Sequence, residues 1–117
     1  MEKQMNDVLS LAEINGVHEL ELEIKKSFKV KRVSLFGSVA RAEADDESDL
    51  DVLIILSDKV THRIRNTISD MAFEVNLKHG TNISLMIFDE EVWSSDMMKI
   101  TPFYSEVVRD GVSVYEA

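Results

Sequence analysis

A chain of 117 residues has room for one small domain with a single core. Its apolar and charged fractions, 44% and 30%, are those of an ordinary folded globular protein, so disorder is not expected. The formal net charge of −9 disfavours a role in gripping nucleic acid, which needs a basic surface to displace phosphate counterions.

No apolar run nears the ~20 residues needed to cross a bilayer. Met1-Glu2-Lys3-Gln4 lacks the basic-then-apolar pattern of a signal peptide. Without cysteine there is neither a disulfide framework nor a thiolate metal site, which suits a cytoplasmic protein with no membrane partner.

In chain order, Met5, Val8, Leu9 and Ala12 predict a helix over residues 1 to about 15, stopped at Asn15-Gly16. A second helix is expected from Val17 to about Phe28, with Val17, Leu20, Ile24 and Phe28 on one side. Lys25, Lys26 and Lys29 lie near its C-terminal end, where cations suit the helix dipole. Lys31 and Arg32 lead into a strand carrying Val33, Leu35 and Phe36, broken at Gly37-Ser38. After a short polar stretch, Leu50 to Leu56 reads as a strand covered on both faces.

Val60 to Lys78 gives the clearest helical stripe, through Val60, Ile64, Ile68, Met71, Ala72 and Val75, closed by His79-Gly80. Asn82 to Phe88 is a third strand, and Asp89 caps a short acidic helix start. Thr101-Pro102 opens another helix, with Phe103, Val107 and Val108 turned inward and an end at Gly111. Val112 to Tyr115 could add an edge strand. One domain results, divided into N-terminal helices (1–30), a catalytic core (31–88), and C-terminal helices with an edge strand (89–117).

The chemistry is concentrated in VSLFGSVARAEADDESDLDVLIIL, Val33 to Leu56. Residues i and i+2 on a strand face the same way, so Asp49 and Asp51 project side by side, ~6.6 Å apart. Two such carboxylates repel each other unless a cation bridges them. Mg²⁺ is suited to that task, being a hard ion that takes one or two carboxylates plus substrate phosphates. Gly37 allows close backbone approach to a phosphate, and Ser38 offers a hydroxyl and an N–H beside it. His18, His62 and His79 are scattered and not spaced as metal ligands.

Gly37-Ser38, then ten residues, then Asp49-Leu50-Asp51, flanked by Leu35-Phe36 and by Val39-Ala40-Arg41, resembles the DNA polymerase beta-like nucleotidyltransferase superfamily. More narrowly it resembles that superfamily's minimal nucleotidyltransferase branch. The resemblance implies an α+β nucleotidyltransferase fold, a small mixed β-sheet packed with helices. It implies that Asp49 and Asp51 hold Mg²⁺ against a nucleoside triphosphate, ATP being expected. Gly37 and Ser38 would contact its terminal phosphates. Arg41 matches the family's arginine and would neutralise phosphate charge; the plainer reading is an ion pair with Glu43 or Asp45.

The family usually adds a third aspartate on the third strand, beside Asp51. Asn82 stands at that catalytic position, in Thr81-Asn82-Ile83-Ser84. An amide oxygen can ligate a hard cation but brings no charge and accepts no proton. Asp89 lies ~23 Å along the strand and cannot substitute, and Glu74 falls on a solvated helix face.

Two functions follow from the resemblance. One is transfer of a nucleoside monophosphate from an NTP to an acceptor hydroxyl, on a partner protein in one version. The other is a weakly active or inactive nucleotide-binding antitoxin that neutralises a helical HEPN-type toxin by binding. A homo-oligomer is also admitted, and the small chain leaves no separate acceptor-binding domain.

Overall fold

The computed structural model describes residues 3–43 and 48–117. Its frame is a four-stranded sheet made by β1 (Val30–Phe36), β2 (Leu50–Leu56), β3 (Ile83–Asp89) and β4 (Val112–Glu116), in the order β3-β2-β1-β4. Strand β1 runs antiparallel to β2 and β4, whereas β2 and β3 are parallel. A parallel pair requires a crossover. Helix α4 (His62–His79) supplies it, so the sheet is mixed, as expected.

β2 is the innermost acidic-headed strand, and every residue in it except Asp51 is buried. Strand alternation sends Leu50, Val52, Ile54 and Leu56 into the larger core and Leu53 and Ile55 into a smaller one on the opposite face. Burial on both faces is why this segment is almost uninterrupted hydrophobic sequence.

The larger core is closed by α4, through Ile68, Ala72 and Val75, and by α2 (Leu11–Ser27), through Val17, Leu20 and Ile24. The N-terminal segment departs from the expected pair of helices. Chain 3–28 breaks at Leu9–Ser10, after the one-turn helix α1 (Met5–Val8), and not at Asn15-Gly16. Ser10 and Glu13 form a reciprocal capping box that starts α2 there. Gly16 continues the helix because it is a packing residue: a Cβ at this position would lie 3.3 Å from Thr81 Cγ2 and 3.5 Å from Val75 Cγ1. The expected stop at the end of α4 does occur, with Gly80 in the left-handed conformation at φ 67°.

The smaller core lies under three short helices, α5 (Glu90–Trp93), α6 (Asp96–Lys99) and α7 (Pro102–Asp110), capped by Asp89, Ser95 and Thr101. Phe36, Phe88, Trp93, Phe103 and Tyr104 pack there as a connected aromatic group. Val107 is buried in it, but Val108, expected to point inward, is 64% exposed. A helix turns 100° per residue, so two consecutive positions cannot both face a narrow core. None of the described helices is long and apolar enough to cross a membrane.

Candidate active site

Where β1 ends, the chain reverses through α3 (Gly37–Ala40), a single turn. Gly37 has φ +74°, a conformation that L side chains rarely adopt. It sits next to Asp51 because the antiparallel register places Phe36 opposite Asp51. A Cβ on Gly37 would run into the Asp51 carboxylate. Glycine is therefore required here twice, for its backbone angle and for its missing side chain. The glycine–serine turn and the second aspartate, fourteen positions apart in sequence, form one continuous surface.

Asp49 is exposed and Asp51 half-buried at the entrance of β2. Burial pushes the Asp51 carboxyl above the usual carboxylate range, and the charges of Asp49 and Glu106 push the same way while Arg41 opposes them. This is the electrostatics of a site short of positive charge. Hard carboxylate oxygens in such surroundings suit a divalent cation, and Asp49 and Asp51 are the residues that could hold one. Among the described residues, no group of three or more His, Cys, Asp or Glu gathers in a metal-holding arrangement.

Asn82 is brought to this site but not to the neighbour expected. The parallel register pairs Leu50 with Ile83 and Asp51 with Ser84, and the Leu50 N–H donates to the Asn82 carbonyl at 2.9 Å. Asn82 therefore flanks Asp49, and its side-chain Nδ2 donates to Asp49 Oδ1. Ser84 occupies the position beside Asp51. The amide acts here as a donor that steadies a carboxylate, a part that an ionised aspartate could not play.

Arg41 lies just beyond α3. Its Nε donates to Glu43 at 3.2 Å, the ion pair anticipated from sequence, and its Nη1 donates to Glu106 at 2.9 Å. The alternative partner, Asp45, falls outside the described residues. Glu106 on α7 is the site-adjacent acid that sequence reasoning missed. No local signal marks it, since only the packing of α7 against α3 and β1 brings it near. Ser38 is half-buried in the first turn of α3, and Glu74 is exposed, as expected.

The fold and this strand–turn–strand frame define a transferase that handles nucleotides. The profile of the nucleotidyltransferase domain family matches residues 17–109, and the chain belongs to that family. A Methanocaldococcus jannaschii protein named as a candidate protein adenylyltransferase, MJ0141, is 37% identical over 86 residues, covering 74% of this chain and 80% of the relative. Among solved structures, a chain from a toxin–antitoxin complex with AMP-PNP aligns with a TM-score of 0.61 at 17% identity, covering 88% of this chain and 73% of the other. A chain from the complex of tri-AMPylated Shewanella oneidensis HEPN toxin with MNT antitoxin aligns with a TM-score of 0.54 at 16% identity, covering 92% and 74%. At such identities the structural likeness speaks for the fold.

Proposed function

We propose that this nucleotidyltransferase moves a nucleoside monophosphate from ATP to an acceptor hydroxyl on a helical, HEPN-type partner protein. The observation that supports this reading is the close approach of the Gly37 turn to the Asp51 carboxylate, which would let a backbone holding phosphates and a carboxylate pair holding metal act on one nucleotide. Adenylyl transfer to protein is the activity in the name of the methanogen relative, and toxin–antitoxin complexes supply the structural neighbours.

In this reading the backbone N–H groups at Gly37 and Ser38, with the Ser38 hydroxyl, hold the terminal phosphates. Arg41 offsets their charge. Asp49, steadied by Asn82, and Asp51 hold Mg²⁺. When bound, the ion neutralises charge on the phosphates and polarises the α-phosphorus for displacement. The acceptor oxygen forms the new bond to that phosphorus, the bond to pyrophosphate breaks, and the hydroxyl proton passes to solvent. Catalysis is then mainly alignment and charge neutralisation.

A second reading is favoured by one specific observation: the strand neighbours of Asp49 and Asp51 are the neutral Asn82, whose amide donates to Asp49, and Ser84, with no third carboxylate between them. With one acid fewer, the protein binds nucleotide but transfers slowly, and it neutralises its partner mainly by binding. Incubation with labelled ATP, Mg²⁺ and a HEPN-type protein encoded beside it, followed by intact mass measurement, separates the two. A partner heavier by whole nucleoside monophosphates supports transfer. An unmodified partner held in a stable complex supports the second reading, and neither outcome together with no ATP binding would sink both.

A further inference from the structure

The Arg41 guanidinium is held from two sides by acids that come from different parts of the chain. Glu43 is two residues on, and Glu106 is sixty-five residues away on α7. An exposed ion pair by itself has little consequence, but three features distinguish this one. First, Glu106 projects from a well-anchored helix: Thr101 caps α7, Pro102 starts it, and the adjacent Val107 is buried. Second, Ala42, directly after Arg41, has φ +59°, an uncommon angle for a residue with a side chain, at the turn from which Glu43 reaches back to Arg41. Third, the side chains of Arg41 and Glu106 are only 33% and 35% exposed, and Arg41 closes α3, whose first residue, Gly37, lies against Asp51.

We propose that Glu106 is a positioning residue that holds the Arg41 guanidinium at the end of the α3 turn, ready for the triphosphate of an incoming nucleotide. A long arginine side chain left loose must be ordered when the ligand binds, which subtracts from affinity. Glu106 arranges that ordering beforehand. The inference rests on the nucleotide-binding reading above.

A test follows from an opposition of signs. Glu106 is an anion near a site for a polyanion, so by charge alone its removal should tighten nucleotide binding. Positioning predicts the reverse. Calorimetry with Mg–AMP-PNP should show Glu106→Met binding about three- to tenfold more weakly than the parent, the range expected for one newly mobile long side chain. Glu106→Gln, which keeps an acceptor for Arg41 Nη1 at the same length, should retain more affinity than Glu106→Met. In an Arg41→Met background, Glu106→Met should produce no loss.

Melting curves establish that each variant is folded, and Glu106→Ser replaces the methionine variant if that one is not. A parent that fails to bind Mg–AMP-PNP overturns the nucleotide reading and this inference with it. A parent that binds, with Glu106→Met binding as tightly or more tightly, overturns the positioning role alone. So does an equal loss with and without Arg41.

Discussion

Asn82 donates its side-chain amide N–H to the carboxylate of Asp49, across the ends of the two parallel strands β2 and β3. The pair is neutral on one side and anionic on the other, so it needs no cation to be stable. Asn82→Asp changes little volume but replaces the donor by a second anion. Without metal at neutral pH the variant should be about 1 kcal/mol less stable, from the lost hydrogen bond and the new repulsion. With Mg²⁺ the difference should shrink or reverse, and Mg²⁺ affinity should rise about tenfold through the added anionic ligand. Urea unfolding in EDTA and in Mg²⁺ checks this. Transfer to a suitable acceptor should be faster, most visibly at low Mg²⁺. Identical Mg²⁺ titrations for parent and variant would place Asn82 outside the metal's reach.

The raised Asp51 carboxyl makes a prediction about pH. Burial and the neighbouring anions favour its protonated form in the folded state, while the unfolded chain titrates at the ordinary value. Stability from this group is therefore fully present below the unfolded pKa and is lost as pH rises through the higher folded one. Asp51→Asn removes the loss. In metal-free buffer the variant should melt above the parent at neutral pH, and the two should converge in acid. Mg²⁺ should stabilise the parent more than the variant. A variant that melts below the parent at pH 7 in EDTA would contradict the electrostatics described.

Gly37 carries both a positive φ and the contact with Asp51. Gly37→Ala should cost about 2–3 kcal/mol, combining the left-handed backbone penalty with displacement of the carboxylate. Nucleotide binding should weaken along with stability. Asp51→Ala in the same chain should recover part of the stability but none of the binding, because it removes only the steric half of the problem. Chemical denaturation of both singles and the double variant measures the coupling. Strict additivity would mean that the two side chains do not meet.

At the α2–α4 crossing, Gly16 tests packing separately from chemistry. Alanine gains about 1 kcal/mol of helix propensity but places its Cβ 3.3 Å from Thr81 Cγ2, so Gly16→Ala should fall within about 1 kcal/mol of the parent. Gly16→Leu should destabilise by about 2–3 kcal/mol through overpacking. Mg–AMP-PNP affinity should not change in the alanine variant, since this crossing lies on the opposite face of the sheet from the site. A stable leucine variant would show that the two helices separate easily.

Local patterns in the sequence determined much of this architecture. A nearly continuous apolar run marked β2 and a period-3.6 stripe marked α4, because burial on both faces of a strand and on one face of a helix forces those patterns. Gly80 marked the end of α4, and Thr101-Pro102 marked the start of α7. Even the glycine–serine turn was legible, since only a demanding backbone needs glycine at that point. The tertiary structure decided what each of these meets. Strand register set Asn82 beside Asp49 and not Asp51, because alignment between strands is fixed by the packing of their side chains on both faces. A glycine that reads locally as a helix stop lies inside α2, where a Cβ would sit 3.3 Å from Thr81 Cγ2. Glu106 joined Arg41 across sixty-five residues with no sequence signal, since an ion pair between distant segments depends on where the core seats their helices.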